Sequence, residues 1–535
     1  MDRRDFLLTA GAGSALAALG AAACRRTSET PAVPAPAPSE LDELTLEDLQ
    51  AGMASGRFTA RSIVETYLDR IEHMDRQGPS LHAFIEVNPD AQAIADQLDR
   101  ERQEGRLRGP LHGIPVLLKD NIDTADRMTT TAGSLALMGS IASQDSAVAR
   151  QLRNAGALLL GKANLSEWAN IRSTRSSSGW SARGGQCRNP YVLDRNPCGS
   201  SSGSGAAVAA NLAAVAIGTE TDGSIVCPSS ANGIVGVKPT VGLVSRTGVI
   251  PISHSQDTAG PMTRTVRDAA LVLTALTAVD PRDPATGNPD RQAHDYTSFL
   301  DNAGLRGARL GVARSFFTYP GAVAGAFEDA LEAMRQQGAV LIDPVDFALP
   351  PSADALELEV LLYELKAGLN AYLSGLAPSI PVRTLADVIR FNEDHRDREL
   401  PYFGQELFIQ AEQKGPLTDA LYLKNLQTIR TASREDGIDA VMRAQRLDAL
   451  VAPTGGPAWT TDLVNGDHFG GGSSTPAAIA GYPNITVPAG QVMGLPVGIS
   501  FFGRAWTEPA LFRIAHAFEQ ATRHRRPPKF VPTLA

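Results

Sequence analysis

The sequence is short of the features that mark nucleic-acid and metal proteins. It has no basic run with interleaved aromatics, aromatic residues make up 6% of the chain, and the formal net charge is -9. Binding to phosphate backbones needs the opposite charge balance, so nucleic acid is not an expected partner. The nine histidines are scattered and no close Cys/His set occurs, which argues against a structural zinc or other metal. No Gly-Lys-Ser/Thr follows a glycine-rich loop, so a phosphate cradle is disfavoured and no cofactor is expected. Internal repeats are absent. The apolar stretch Leu7 to Ala23 is short and rich in small residues, a poor transmembrane anchor.

That stretch follows paired arginines, Arg3 and Arg4, and the combination has the form of a twin-arginine export signal over residues 1–24. The expected location is therefore extracytoplasmic or periplasmic, reached by a cargo that crosses already folded. Cys24 follows Ala21-Ala22-Ala23, a lipoprotein-like cleavage site that lacks the usual leucine. It is a candidate lipid attachment point and membrane tether. Residues 25–40 form a Pro/Ala-rich spacer suited to an extended tether. With Cys24 set aside, three cysteines remain. Export permits a disulfide, and Cys187–Cys198 is the nearest pair in sequence.

Residues 41–535 carry the fold. At 43% hydrophobic and 20% charged, the chain can bury a large core. Leu44 to Arg76 and Ala91 to Arg106 have helical apolar spacing. Ile114 to Leu118 is a short apolar strand ending at Lys119-Asp120-Asn121, and Ala157 to Leu160 a second one ending at Gly161-Lys162. Ser146 to Asn154 is helical, and Gly233 to Pro239 continues the β–α alternation. From about Asp301 to Arg446 helices dominate, with one strand at Ala308 to Val312. Leu450 to Pro453 and Ile485 to Pro488 return to the same sheet. The expected fold is α/β, a single large domain with a mixed sheet covered on both faces by helices.

Two hydroxyl-rich loops carry the chemical signal: Gly199-Ser200-Ser201-Ser202-Gly203-Ser204-Gly205 and Gly218-Thr219-Glu220-Thr221-Asp222-Gly223-Ser224-Ile225. Between them, Ala206 to Ile217 reads as a helix running into a strand. Amide hydrolysis needs a nucleophile, a base and donors for the oxyanion. Ser224 ends a turn whose successive N–H groups can converge on one oxygen; taken alone, Gly223-Ser224 is an ordinary turn. Ser201 is a rival nucleophile, central to a Gly-x-Ser-x-Gly pattern, yet a polar, proline-interrupted segment precedes it where a buried strand is required. No histidine is well placed, so a lysine becomes the base candidate, provided burial depresses its pKa. Lys119, Lys162 and Lys238 all follow apolar strands. Sequence chemistry alone does not choose among them.

Together these segments resemble the amidase signature family. The resemblance runs from about Leu44 to the C-terminus. It rests on Leu111 to Asn121, the Ser/Gly loop, Gly218 to Ile225, Gly236-Val237-Lys238-Pro239-Thr240, Asp257 to Met262 and Gly481-Tyr482-Pro483. It implies a Ser–Ser–Lys triad with Lys119 as base, Ser200 as relay and Ser224 as acylated nucleophile. It also implies a cis peptide between Gly199 and Ser200, and an oxyanion hole from the N–H groups of Thr221, Asp222, Gly223 and Ser224. Ser201 is expected to support the loop, and Asn170 to meet the substrate amide through its backbone.

Where many members have Gly-Gly-Ser-Ile-Arg, this chain has Asp222-Gly223-Ser224-Ile225-Val226-Cys227. The absent arginine disfavours a small acidic substrate. The motif looks like the peptide amidase branch, which deamidates C-terminal peptide amides; aryl or aliphatic acylamidase activity is the alternative. The subunit that makes glutaminyl-tRNA shares the family, and an export signal argues against that role. A non-catalytic extracytoplasmic solute-binding lipoprotein would also carry such a signal and tether, but has no need of Lys119, Ser200 and Ser224 together. Cavity walls are expected from Leu356 to Leu373, Pro401 to Leu407 and Trp459 to Ser474.

Overall fold

Residues Val116, Leu117 and Leu118 are fully buried, as befits a strand covered on both faces rather than one. They lie in β2 (Pro115–Lys119) of the computed structural model, which describes residues 38–534 except Asp346 and Ala348. The export signal, Cys24 and most of the spacer fall outside the described residues. The other early strands are β1 (Phe84–Val87), β3 (Leu158–Ala163), a small ribbon of β4 (Trp180–Ser181) and β5 (Gly185–Gln186), and β6 (Val215–Glu220). Then follow β7 (Val235–Lys238), β8 (Thr258–Thr263), β9 (Arg309–Val312) and β10 (Val340–Ile342). The last are β11 (Ala449–Pro453), β12 (Asn484–Val492) and β13 (Leu495–Phe502).

Eleven strands join in one mixed sheet, in the order β1-β3-β2-β6-β8-β7-β12-β13-β11-β9-β10. β2 runs parallel to both β3 and β6, and its C-terminal end therefore opens beside theirs. Such an end is where α/β sheets place ligand sites. Helices cover the sheet, and the whole forms a single large α/β domain. Among the described residues no helix is long and apolar enough to cross a membrane.

Several elements depart from the sequence expectation, β1 and β8 among them, which were not read as strands. The helix after the serine loop begins at Ser202, not Ala206, and spans Ser202–Ala209. Its small residues let it press against the neighbouring backbone: a Cβ on Gly203 would lie 2.2 Å from the Ala83 carbonyl oxygen. β10 adds a second strand within the helical region, parallel to β9. β13 was not expected at all. It pairs antiparallel to β12 through a two-residue turn, Met493-Gly494, with φ of +53° and +81°. Positive φ at both positions is the type I′ geometry that matches strand twist.

Candidate active site

Lys119 ends β2 and is completely buried. Its Nζ lies 2.7 Å from Ser200 Oγ, 2.9 Å from Thr219 Oγ1 and 3.2 Å from the Thr219 carbonyl oxygen. Pairing of Leu118 with Ile217 in the parallel β2–β6 ladder sets Thr219 beside the lysine. Asn121 Nδ2 donates to the same Thr219 hydroxyl at 3.0 Å. A neutral amine has two N–H donors and one lone pair. The two Thr219 oxygens accept the donors, which leaves the lone pair for Ser200. Burial pushes the ammonium down to about 7, against the opposing pull of Asp257 and Glu220. Thr219 was not singled out in the sequence; its signal is the parallel register, which sequence patterning does not supply.

The other two candidate lysines are occupied elsewhere. Lys162 Nζ donates to the Ile122 carbonyl at 2.7 Å and to Thr130 Oγ1 at 2.9 Å, and Lys238 Nζ to the Tyr482 carbonyl at 2.7 Å. Neither hydrogen-bonds a serine among the described residues. Of the three lysines, only Lys119 meets the hydroxyl-rich loops.

The Gly199–Ser200 peptide is cis. Gly199 admits no side chain, since a Cβ there would sit 2.2 Å from Ser166 Oγ. Ser201 turns the other way: its Oγ donates to the Thr219 carbonyl at 3.1 Å and accepts the Thr219 N–H at 3.3 Å. Its own N–H donates to the Ser224 carbonyl at 3.2 Å, which links the two loops. Fully buried and preceded by no strand, Ser201 lacks the exposure that an elbow nucleophile needs.

Ser224 follows Gly223, whose φ of +77° makes the turn. The Glu220 carboxylate takes up the next N–H groups, those of Ile225 at 2.7 Å and Val226 at 3.0 Å. The N–H groups of Thr221, Asp222, Gly223 and Ser224 make no hydrogen bond to a described acceptor, and all four residues line a cavity. The turn is braced through side chains. Thr221 Oγ1 donates to Asp257 Oδ1 at 2.7 Å, and Thr475 Oγ1 to Asp222 Oδ2 at 2.7 Å. Asp257 is itself held by the Ile252 and Ser253 N–H groups, each at 2.8 Å. Ser224 Oγ has no hydrogen-bond partner among the described residues and lines the same cavity as Ser200. A free hydroxyl can rotate toward Ser200; such catalytic hydrogen bonds often tighten only when substrate binds.

The cavity holds about 450 Å³. Asn170 lines it at the end of a left-handed run, with φ of +50° at Trp168, +53° at Ala169 and +75° at Asn170. Behind this run the buried Arg172 pairs with Glu167 and lies 3.6 Å from Glu399, its guanidinium 4.4 Å from the Phe403 ring centre. Leu361, Trp459, Asp467, Phe469 and Ser474 complete the walls from two of the three expected segments. Pro401 to Leu407 does not line the cavity: Tyr402 and Phe403 instead pack edge-on against Trp180. Asp222 and Asp467 are the ionisable side chains of the lining, which contains no lysine or arginine.

The nearest pair in sequence, Cys187 and Cys198, is not the pair that bonds. Cys198 bonds Cys227, with a Cα separation of 6.0 Å, and Cys187 stays a buried free thiol. Nearness in sequence does not decide the pairing, because the fold lays the Ser224 turn against the serine loop. Among the described residues no group of three or more His, Cys, Asp or Glu side chains is placed to hold a metal ion.

A family model described as Amidase matches residues 62–512. The chain is 54% identical to the native peptide amidase of Stenotrophomonas maltophilia, with a TM-score of 0.88 over 92% of this chain and 100% of that one. It is 44% identical over 501 residues, 92% of each chain, to an Arabidopsis thaliana protein named a probable amidase. A bacterial aryl acylamidase of the amidase signature family is 25% identical, with a TM-score of 0.75 over 90% of this chain and 97% of that one.

Proposed function

The chain belongs to the amidase signature family, and from that premise we propose an exported amidase that releases ammonia from C-terminal peptide amides through Lys119, Ser200 and Ser224. One observation carries the assignment: a buried lysine, its ammonium pushed down to about 7, sits 2.7 Å from Ser200 Oγ beside a turn with free N–H groups. A lysine acts as base only when such surroundings favour its neutral form.

In the proposed sequence, neutral Lys119 takes the Ser200 proton while Ser200 takes that of Ser224. Ser224 Oγ then adds to the amide carbonyl carbon. The oxyanion is received by the N–H groups of Thr221, Asp222, Gly223 and Ser224; one such donor is typically worth about 10²–10³ in turnover. Collapse breaks the C–N bond, and the proton held on Lys119 returns through Ser200 to the departing nitrogen. Water, deprotonated along the same relay, cleaves the acyl-enzyme. The carboxylic acid leaves and Ser224 recovers its proton. Ser201 supports the loop, and the Asn170 backbone meets the substrate amide.

The likeness to the Stenotrophomonas maltophilia enzyme supports peptide amides as substrates. The likeness to an aryl acylamidase keeps anilides as the second reading. Ammonia release from a panel of peptide amides, anilides and aliphatic amides separates them. A serine-directed fluorophosphonate should label the protein, and Ser224→Ala should abolish both labelling and turnover. Persistent labelling with full turnover in that variant rejects the assignment. Export is supported by Arg3 and Arg4, and lipid attachment by Cys24. Replacing both arginines by lysine should retain the protein in the cytoplasmic fraction, and the mass of the mature N-terminus reads the state of Cys24.

A further inference from the structure

Cys198 stands two residues before Ser200, and Cys227 three after Ser224, in the first turn of the helix Val226–Ala231. Their bond therefore joins the relay loop to the nucleophile turn across 29 residues of sequence. The direct hydrogen bonds described between the two loops are those of Ser201, its N–H to Ser224 and its hydroxyl to Thr219, and Lys119 Nζ bridges Ser200 and Thr219. Cys198 also holds a φ of +57°, a left-handed conformation unfavourable for a residue with a Cβ. Its N–H donates to Asn196 Oδ1 at 2.8 Å and its carbonyl accepts Ser202 Oγ–H at 2.7 Å. Strain of this kind persists only where the surroundings enforce it.

We propose that the Cys198–Cys227 disulfide positions Ser200 against Ser224, so that turnover requires this bond to be closed. Reduction frees Cys198 to leave the left-handed region, and the displacement passes directly through Gly199 to Ser200. A misplacement of about 1 Å at a reacting group can cost about 10²-fold in rate. Both cysteines line the cavity, so a small thiol reaches the sulfurs by the route the substrate takes. Cys187 does not compete: it is completely buried, and burial raises its thiol well above the ordinary range, which keeps it protonated and unreactive.

For a chain exported already folded, the consequence is latency. On the proposed export route the protein folds in a reducing compartment with both thiols intact. Outside, a disulfide-bearing oxidant accepts two electrons, the two thiols lose their protons, and the S–S bond forms. Amide hydrolysis then begins where peptides are met.

The test uses the full chain. Oxidised protein is reduced with dithiothreitol, thiols are counted with a maleimide, and kcat and KM are measured well below the melting temperature. On gaining two thiols, kcat should fall about ten-fold or more with KM changed less than about two-fold, and oxidised glutathione should restore it. The double variant Cys198→Ser, Cys227→Ser should show the low kcat without reductant, whereas Cys187→Ser should keep the wild-type response. Turnover unchanged after both thiols appear, with only the melting temperature lowered, overturns the proposal. The inference rests on Ser200 and Ser224 as relay and nucleophile. The Ser224→Ala labelling experiment tests that assignment on oxidised protein, so the two fail separately.

Discussion

Thr219 meets Lys119 with both of its oxygens, the hydroxyl at 2.9 Å and the carbonyl at 3.2 Å. Two acceptors fixed on one strand residue orient the amine so that its remaining valence faces Ser200. Thr219→Val keeps the shape and the carbonyl but deletes one acceptor. Turnover should fall about 10–10²-fold, the range of a lost hydrogen bond in a buried network, with KM little changed. Steady-state kinetics checks this; unaltered kcat would mean that the lysine needs no such orientation.

As the proposed base, Lys119 must be neutral to accept a proton, and burial places its titration at about 7. kcat/KM should therefore fall about ten-fold per pH unit below that value and level off above it. A profile flat from about pH 5 to 9 contradicts the role.

The same shift has a stability consequence. Folded Lys119 titrates below its unfolded counterpart, so between the two values the unfolded chain holds a proton that the folded chain lacks. Stability rises with pH across that window, and the penalty is fully present below about 7. Lys119→Met removes it. The variant should be inactive yet melt higher than wild type at pH 7, with the gap closing as pH approaches the ordinary lysine range; calorimetry at several pH values decides.

The residues of the proposed triad were more legible in the sequence than the contacts that position them. Lys119, Ser200 and Ser224 stand in local motifs, and motif order survives folding. Thr219 needed the β2–β6 register, and the Cys198–Cys227 bond needed two loops 29 residues apart brought together by the fold. β13 was missed because its hairpin turn, Met493-Gly494, carries a left-handed methionine where an asparagine or glycine would have advertised the turn. Phe403 was expected at the cavity wall, but its ring is used under Arg172, a role set by a buried cation that sequence spacing cannot foresee.

Gly223 lies at φ +77° within the proposed oxyanion turn, and a Cβ there would stand 3.1 Å from Ser474 Oγ. Alanine at this position is strained by roughly 1–2 kcal/mol in the turn that aims the N–H groups. Gly223→Ala should lower kcat about 10–10²-fold while leaving the melting temperature within a few degrees, since the strain is relieved by local rearrangement of the turn. An unaffected kcat would show that the turn tolerates the change without moving its donors.

Arg172 is completely buried with Glu167 and Glu399 beside it, both completely buried as well. Removing one partner of such a cluster strands the others, typically at about 3–5 kcal/mol. Arg172→Met should depress the melting temperature strongly. The deficit should grow as pH rises through the range where Glu167 ionises. Burial raises Glu167 well above the ordinary carboxylate value, so that range lies higher than for exposed acids. Because Glu167 immediately precedes the left-handed run Trp168 to Asn170, KM should rise in the surviving fraction. Equal loss of stability at every pH would mean that Arg172 acts through its packing on Phe403 rather than its charge.

The cavity presents Asp222 and Asp467 and no cation, and Phe469, half exposed at its mouth, packs edge-on against Trp459 at 5.6 Å. A substrate bearing a carboxylate near the amide enters against like charge without a counterion to receive it, whereas an apolar side chain covers aromatic surface otherwise left in water. Peptide amides ending in an acidic residue should therefore show kcat/KM about ten-fold or more below those ending in leucine or phenylalanine. Phe469→Ala should narrow that gap by weakening the apolar substrates, with glycine amides nearly unaffected. Added salt should narrow it from the other side by screening the acidic lining. If acidic and apolar amides react alike at low ionic strength, the reacting end of the substrate is held away from both aspartates and the wall at Trp459 and Phe469 plays no part in selection.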